Sequence, residues 1–230
     1  MISVHNALPR PDILLGIVVA SPVRIDATHP EFPTHLQALL EERRKPLSDA
    51  EEAVRVSVRD MLRNGRYKPT GRSKPASEYL LRAAGEENGF PHINGPVDVC
   101  NYLSLKYLVP ISLWDLDLAG VTRFTFRLGH PGEVYVFNTG GQEIDLEDLI
   151  VGCRIVNGSE EPIVTPVKDS LATKTTDKTS RIAACIYAPE SHFSRERLSG
   201  ICAEFGELLS MPEGHTLATG VAACNETISV

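Results

Sequence analysis

A chain of 230 residues with 42% hydrophobic and 23% charged side chains has the make-up of a soluble globular protein, long enough for one generous domain or two small ones. No apolar run reaches the roughly 18 residues a membrane helix needs, and five scattered cysteines without CxxC spacing point to reduced thiols in a cytoplasmic protein. The net charge of -7 argues against nucleic acid, yet Arg63, Arg66, Lys68, Arg72 and Lys74 crowd into residues 63–74 with no acid among them.

In chain order, the apolar run Ile13–Ala20 follows a Pro-rich start and lacks a small-residue cleavage site, so it reads as a core strand rather than a signal peptide. Residues 31–44 form a short helix through Phe32, Leu36, Leu39 and Leu40. A second helix opens with Ser48 and Glu51 in capping-box spacing and ends near Asn64-Gly65. After the basic loop, Pro75 starts a helix that Gly85 closes. A central helix spans roughly 96–109, with Pro96 at its first turn, Asn94 or Gly95 as its cap and Pro110 as its stop. It is apolar almost all round, so it is buried, yet it carries Asp98 and Asn101 three residues apart on one face.

Strand patterns follow at Ile111–Trp114, Val121–Arg127, Glu133–Phe137, Gly152–Val156, Pro162–Pro166 and Arg181–Ala188. A polar, Thr-rich segment (DSLATKTTDKTS) suits an exposed loop between the last two. An amphipathic helix over 193–210 and a strand at Thr227–Val230 complete the pattern, with no internal repeat. The expected fold is α/β (α+β): a single layered sandwich of mixed sheets packed with helices over 1–230.

The run Ile93-Asn94-x-x-Val97-Asp98-Val99-x-Asn101, then Pro110, then Asp115-Leu116-Asp117, resembles the editing domain of the phenylalanyl-tRNA synthetase beta subunit, the B-three/B-four type, which also occurs as free-standing copies. Lys74-Pro75-Ala76-Ser77-Glu78, Arg127, Gly132-Glu133 and the Asp169-Ser170 turn continue the likeness over about 67–188. Residues 1–66 then form a helical extension, and the helix at 193–210 lies beyond the core. In the synthetase this domain hydrolyses tyrosine wrongly attached to tRNA for phenylalanine. With no aminoacylation machinery in view, the resemblance implies a domain acting in trans as an aminoacyl-tRNA deacylase. Three positions depart from the family. Ser112 stands where the bacterial synthetase has histidine, Cys100 where threonine is common, and Ile182–Tyr187 offers no glutamate.

Deacylation needs a positioned water and a stabilised oxyanion, and no strong base, because the ester is activated. On the resemblance, Asn94, Asp98, Asn101, Ser112 and Glu133 are the candidate catalytic residues, with Asp98 orienting the others or binding the substrate ammonium. Each has a structural reading beside it. Asp98 and Asn101 can cap neighbouring turns, Ser112 can be an ordinary strand residue, and Glu133 a solvated acid at a strand start. Arg63, Arg66, Tyr67, Lys68, Arg72 and Lys74 are the candidate RNA-binding set, the cations for phosphates and Tyr67 for a base, at the tRNA acceptor end; the alternative is a solvated loop. Cys100 beside His92 suggests a thiol nucleophile, but a cysteine on an apolar helix is ordinarily inert. Asp115 and Asp117 suggest a structural ion pair with Arg123 or Arg127. The seven histidines show no paired-ligand spacing and no phosphate loop occurs, so neither metal nor cofactor is expected. A non-catalytic module that binds RNA, a nucleoside or an amino acid remains the alternative to the enzyme.

Overall fold

Two apolar runs form the centre of the protein: Ile13–Ser21 is buried at every residue but its last, and Ile182–Pro189 at every residue. In a strand, alternate side chains point to opposite faces, so complete burial means that both faces of the sheet are covered. The computed structural model describes residues 1–86 and 89–230. Its first half holds β1 (Ser3–Asn6), β2 (Ile13–Ser21), α1 (Phe32–Arg43), α2 (Asp49–Met61), α3 (Ala76–Ala84), α4 (Gly95–Tyr107), β3 (Ile111–Asp115) and α5 (Leu116–Ala119). The second half holds β4 (Arg123–Leu128), β5 (Val134–Val136), β6 (Glu143–Asp145), β7 (Ile150–Val156), β8 (Ser159–Val164), β9 (Ile182–Pro189), α6 (Arg195–Leu208), β10 (Thr216–Ala222) and β11 (Thr227–Ser229).

The strands form a four-stranded antiparallel sheet ordered β10-β2-β9-β3, a five-stranded sheet ordered β11-β1-β4-β7-β8, and the hairpin β5-β6. The five-stranded sheet is mixed, because β1 runs parallel to β4 while its other pairs are antiparallel. Helices α2, α4 and α6 pack on the four-stranded sheet. Gly16 lets α6 come close: a Cβ there would lie 2.8 Å from Cys202 Sγ. Aromatic contacts join the two sheets, with the Trp114 and Phe124 ring centres 5.4 Å apart and those of Phe126 and Tyr187 6.0 Å apart. This is the expected α/β arrangement of mixed sheets packed against helices.

The local signals act as the sequence implies. Ser48 accepts from the Glu51 amide while Glu51 reaches back to the Ser48 amide, which starts α2. Asn94 caps α4 by accepting from the Val97 amide at 3.1 Å. Gly95 is required next, because a Cβ at that position would meet the Ala27 carbonyl oxygen at 2.1 Å. Leu108, left-handed at φ 58°, ends α4 ahead of Pro110.

Two expectations change. The segment before residue 67 is not only helical: it supplies β1 and β2, and β2 lies inside the four-stranded sheet. Asp117 pairs with Arg181 at 2.9 Å rather than with Arg123 or Arg127. Asp115 instead caps α5, accepting from the Asp117 and Leu118 amides, while Arg127 is held by Glu133 and Glu160.

Candidate functional site

A cleft of 1410 Å³ opens between α2, α3 and α4 on one side and the segments after β5 and β8 on the other. Of its carboxylates, Asp49, Glu52 and Glu78 lie on the helical side, and Asp169 is placed on the other side by a tight turn. Thr165 Oγ1 donates to the Lys168 carbonyl at 2.8 Å and accepts from the Lys168 amide at 3.0 Å, which folds 165–168 back on itself. The carboxylate then accepts from the Leu113 amide of β3 at 3.1 Å and from the Thr165 amide at 3.2 Å. Burial pushes its pKa up to about 6, against the opposing effect of the backbone donors. Asn101, from α4, and Asn138, from the turn after β5, line the same cleft.

The rim is cationic. Arg72, Lys74, Lys168 and Lys174 all line the cleft. The Lys168 ammonium stands 3.9 Å from the centre of the Phe137 ring, and the Lys174 ammonium donates to the Phe137 carbonyl at 2.6 Å. Burial, followed by the neighbouring charges of Arg72 and Lys174, lowers the pKa of Lys168. Like charges held together in this way raise the affinity of a site for an anion. On the helical wall Glu78 takes both Arg55 and Arg59, and Glu52 pairs with Arg55, so these arginines are neutralised within the wall.

Of the five candidate catalytic residues, the cleft contains Asn101. Asn94 and Asp98 line a separate groove of 570 Å³ with His92, Thr175 and Thr176. There Asn94 Nδ2 donates to Thr175 Oγ1 at 3.0 Å, and Asp98 accepts from the Ile93 amide at 2.8 Å. Asp98 is half-buried rather than enclosed. Ser112 is fully buried behind the cleft, donating to the Thr165 carbonyl at 2.9 Å and lying 3.1 Å from the Tyr187 hydroxyl. In the β3–β9 register it stands opposite Cys185, within the Ile182–Tyr187 segment that offers no glutamate.

Glu133 does not line the cleft; it grips the Arg127 guanidinium through both oxygens, at 2.7 and 2.8 Å, and accepts from the His130 amide. Burial would raise its pKa, but these partners hold it below the ordinary range. Cys100 is buried and donates to the Ile111 carbonyl at 3.6 Å, and burial drives its pKa upward, the reverse of what a nucleophile needs.

The basic loop divides. Arg63 pairs with Asp60, and Arg66 with Asp145 and Glu147. Tyr67 packs against the core, its hydroxyl donating to the Ser73 carbonyl and its pKa pushed up to about 12 by burial. Lys68 lines an adjoining groove. Arg72 and Lys74 alone of the six reach the cleft. Among the cleft residues that the sequence had not pointed to as a site are Asp169, Asn138, Lys168, Lys174 and the exposed Tyr79. The Asp169-Ser170 turn and the Thr-rich loop were the available signal. Among the described residues no group of three or more His, Cys, Asp or Glu side chains is placed to hold a metal ion, and no helix is long and apolar enough to cross a membrane.

Residues 67–198, more than half of the chain, match the B3/4 domain family. The chain is similar to the phenylalanine–tRNA ligase beta subunit of Oceanobacillus iheyensis, 34% identical over 96 residues that cover 41% of this chain and 11% of the relative. It is similar also to that of Protochlamydia amoebophila, 29% identical over 108 residues that cover 46% and 13%. The chain thus spans about an eighth or less of the curated relatives it matches. On the extent of the family match, the chain belongs to the B3/4 domain family.

Proposed function

We propose that this chain is an editing-type domain that receives the acceptor end of an aminoacyl-tRNA in the 1410 Å³ cleft and hydrolyses a mischarged aminoacyl ester. It acts in trans, in the cytoplasm. The observation that carries this reading is a half-buried carboxylate, Asp169, in a cleft lined also by four cations of its rim. An aminoacyl ester on the terminal adenosine presents the complementary pair, an ammonium beside the reacting carbonyl and phosphates a few ångströms away. Ionised Asp169 takes the ammonium, and the cations of the rim take the phosphates. Water adds to the ester carbonyl, the tetrahedral intermediate collapses, and the ribose hydroxyl leaves with a proton. Asn101 and Asn138 are the neutral polar groups placed to hold the water or the developing oxyanion.

The test is deacylation of a panel of mischarged tRNAs. Turnover with at least one is expected, and no turnover with any, at ample protein, sinks the catalytic claim. One observation favours a second reading, a non-catalytic module that captures an amino acid, a nucleoside or RNA. Ser112 is sealed away, and none of the described residues lining the cleft is a histidine or cysteine. A melting temperature raised by a free amino acid or adenosine, without deacylation, selects that reading.

A further inference from the structure

Tyr79 is the large aromatic side chain that the cleft leaves open to solvent. It lies on α3, is 57% exposed and lines the cleft wall with Pro91, while most other large aromatic rings of the protein are buried or half-buried. An exposed tyrosine gains nothing for the core, and its ring is already accompanied by the Arg82 guanidinium, 5.5 Å from the ring centre. Arg82 itself is exposed, with an ion-pair distance of 3.7 Å to Glu86 at most a loose tether. A planar ring and a planar guanidinium beside the same cleft can hold a third planar group stacked upon them.

From this geometry we infer that Tyr79 and Arg82 form a stacking platform for a nucleobase of a single-stranded RNA 3′ end whose phosphates lie on Arg72, Lys74, Lys168 and Lys174. The inference rests on the proposed function and adds to it the part of the cleft that holds a base. The charge pattern selects the ligand class. Four cations on one rim suit a phosphodiester backbone, and a single aromatic platform accepts any base by its face without reading its edge. A paired base keeps its faces inside the duplex, so the platform takes unpaired ends. Two of the three acids on the helical wall, Glu52 and Glu78, are already paired with Arg55 and Arg59, which leaves Asp49, at the start of α2, as the exposed acid of that wall.

The experiment measures binding of a 5′-labelled single-stranded RNA by fluorescence anisotropy, with a blunt RNA duplex of equal length as comparison, across a salt series. Tyr79→Ala is expected to weaken single-strand binding by about 5- to 100-fold, the range for losing one base stack. Its salt slope should match the unaltered protein. Tyr79→Phe should bind within about twofold of the unaltered protein, because stacking needs the ring and not the hydroxyl. Lys74→Ala should instead reduce the salt slope by about 0.7, the share of one phosphate on a single strand. Tyr79 is exposed, so its truncation removes no core contact, and a thermal melt of each variant checks the fold. Binding of Tyr79→Ala within about twofold of the unaltered protein overturns the platform while deacylation by the unaltered protein leaves the proposed function standing. Equal affinity for the blunt duplex also overturns it. An unaltered protein that neither binds the RNA nor deacylates any tRNA overturns both readings together.

Discussion

Asp169 shows how much one carboxylate can depend on contacts far away in the chain. One oxygen is fixed by the Leu113 amide of β3, 56 residues away, which no local pattern announces, and the other by the Thr165 amide within its own turn. The sequence placed Asp98 at the centre because a carboxylate on an apolar helix is conspicuous. In the folded protein that carboxylate serves the Ile93 amide, while the one at the cleft arrives on a loop. The folded pKa of Asp169, about 6, stands above its ordinary 3.8. The native state therefore holds a proton that the unfolded chain releases, and this contribution to stability is complete below about pH 4 and lost as pH rises through about 6. The same ionisation is what an ammonium requires. The melting temperature of the unaltered protein should thus fall, relative to Asp169→Asn, between pH 4 and 7, while its kcat/KM for deacylation climbs through about pH 6. Asp169→Asn should lower kcat/KM by about tenfold or more, the size of one charge-assisted hydrogen bond. A pH profile of activity indifferent to that substitution would remove Asp169 from the site.

Among the elements, those with chemical punctuation were legible. Ser48 with Glu51, Asn94 with Pro96, Gly85 and Pro110 each mark a helix end; α1, α3, α4 and α6 lie within two residues of their expected limits, α2 ends at Met61, short of the expected Asn64-Gly65, and α5 was read as a turn. The strands β1, β6 and β10 were not. β1 and β6 are only four and three residues long, and β10 is exposed or half-buried over its first five residues, so its side chains show no clean alternation. Such strands form because a partner elsewhere in the chain offers an unpaired edge. Asn94 has a further duty that its capping role did not suggest, the bond to Thr175 that fastens the Thr-rich loop to the start of α4. Asn94→Ala should therefore cost about 1 kcal/mol for the cap, with more for the lost tether. Urea unfolding reads the total. A variant as stable as the unaltered protein would show that neither bond matters.

At the scale of the molecule, the sheet class and its packing against helices followed from the order of apolar runs, but the strand order did not. β1 lies between β4 and β11, pairings that join residues more than a hundred positions apart, and sequence patterns carry little about such distances. The charge distribution was half legible. The basic loop is real in the sequence, yet acids from β6 and its following turn neutralise Arg66, and the cleft gains Lys168 and Lys174 from the distant loop after β8. The grip on Phe137 gives these two lysines a mechanical role as well. Lys174 spends one of its three donors on the Phe137 carbonyl, and Lys168 rests on the ring of the same residue at the end of β5. The remaining donors can take a phosphate without releasing the first. An occupied cleft would then be stapled to the small β5-β6 hairpin, which would report the ligand as a strain gauge reports a load. Amide hydrogens of residues 134–145 should exchange more slowly with RNA bound than without it, and an unchanged exchange rate would show that hairpin and cleft are mechanically independent.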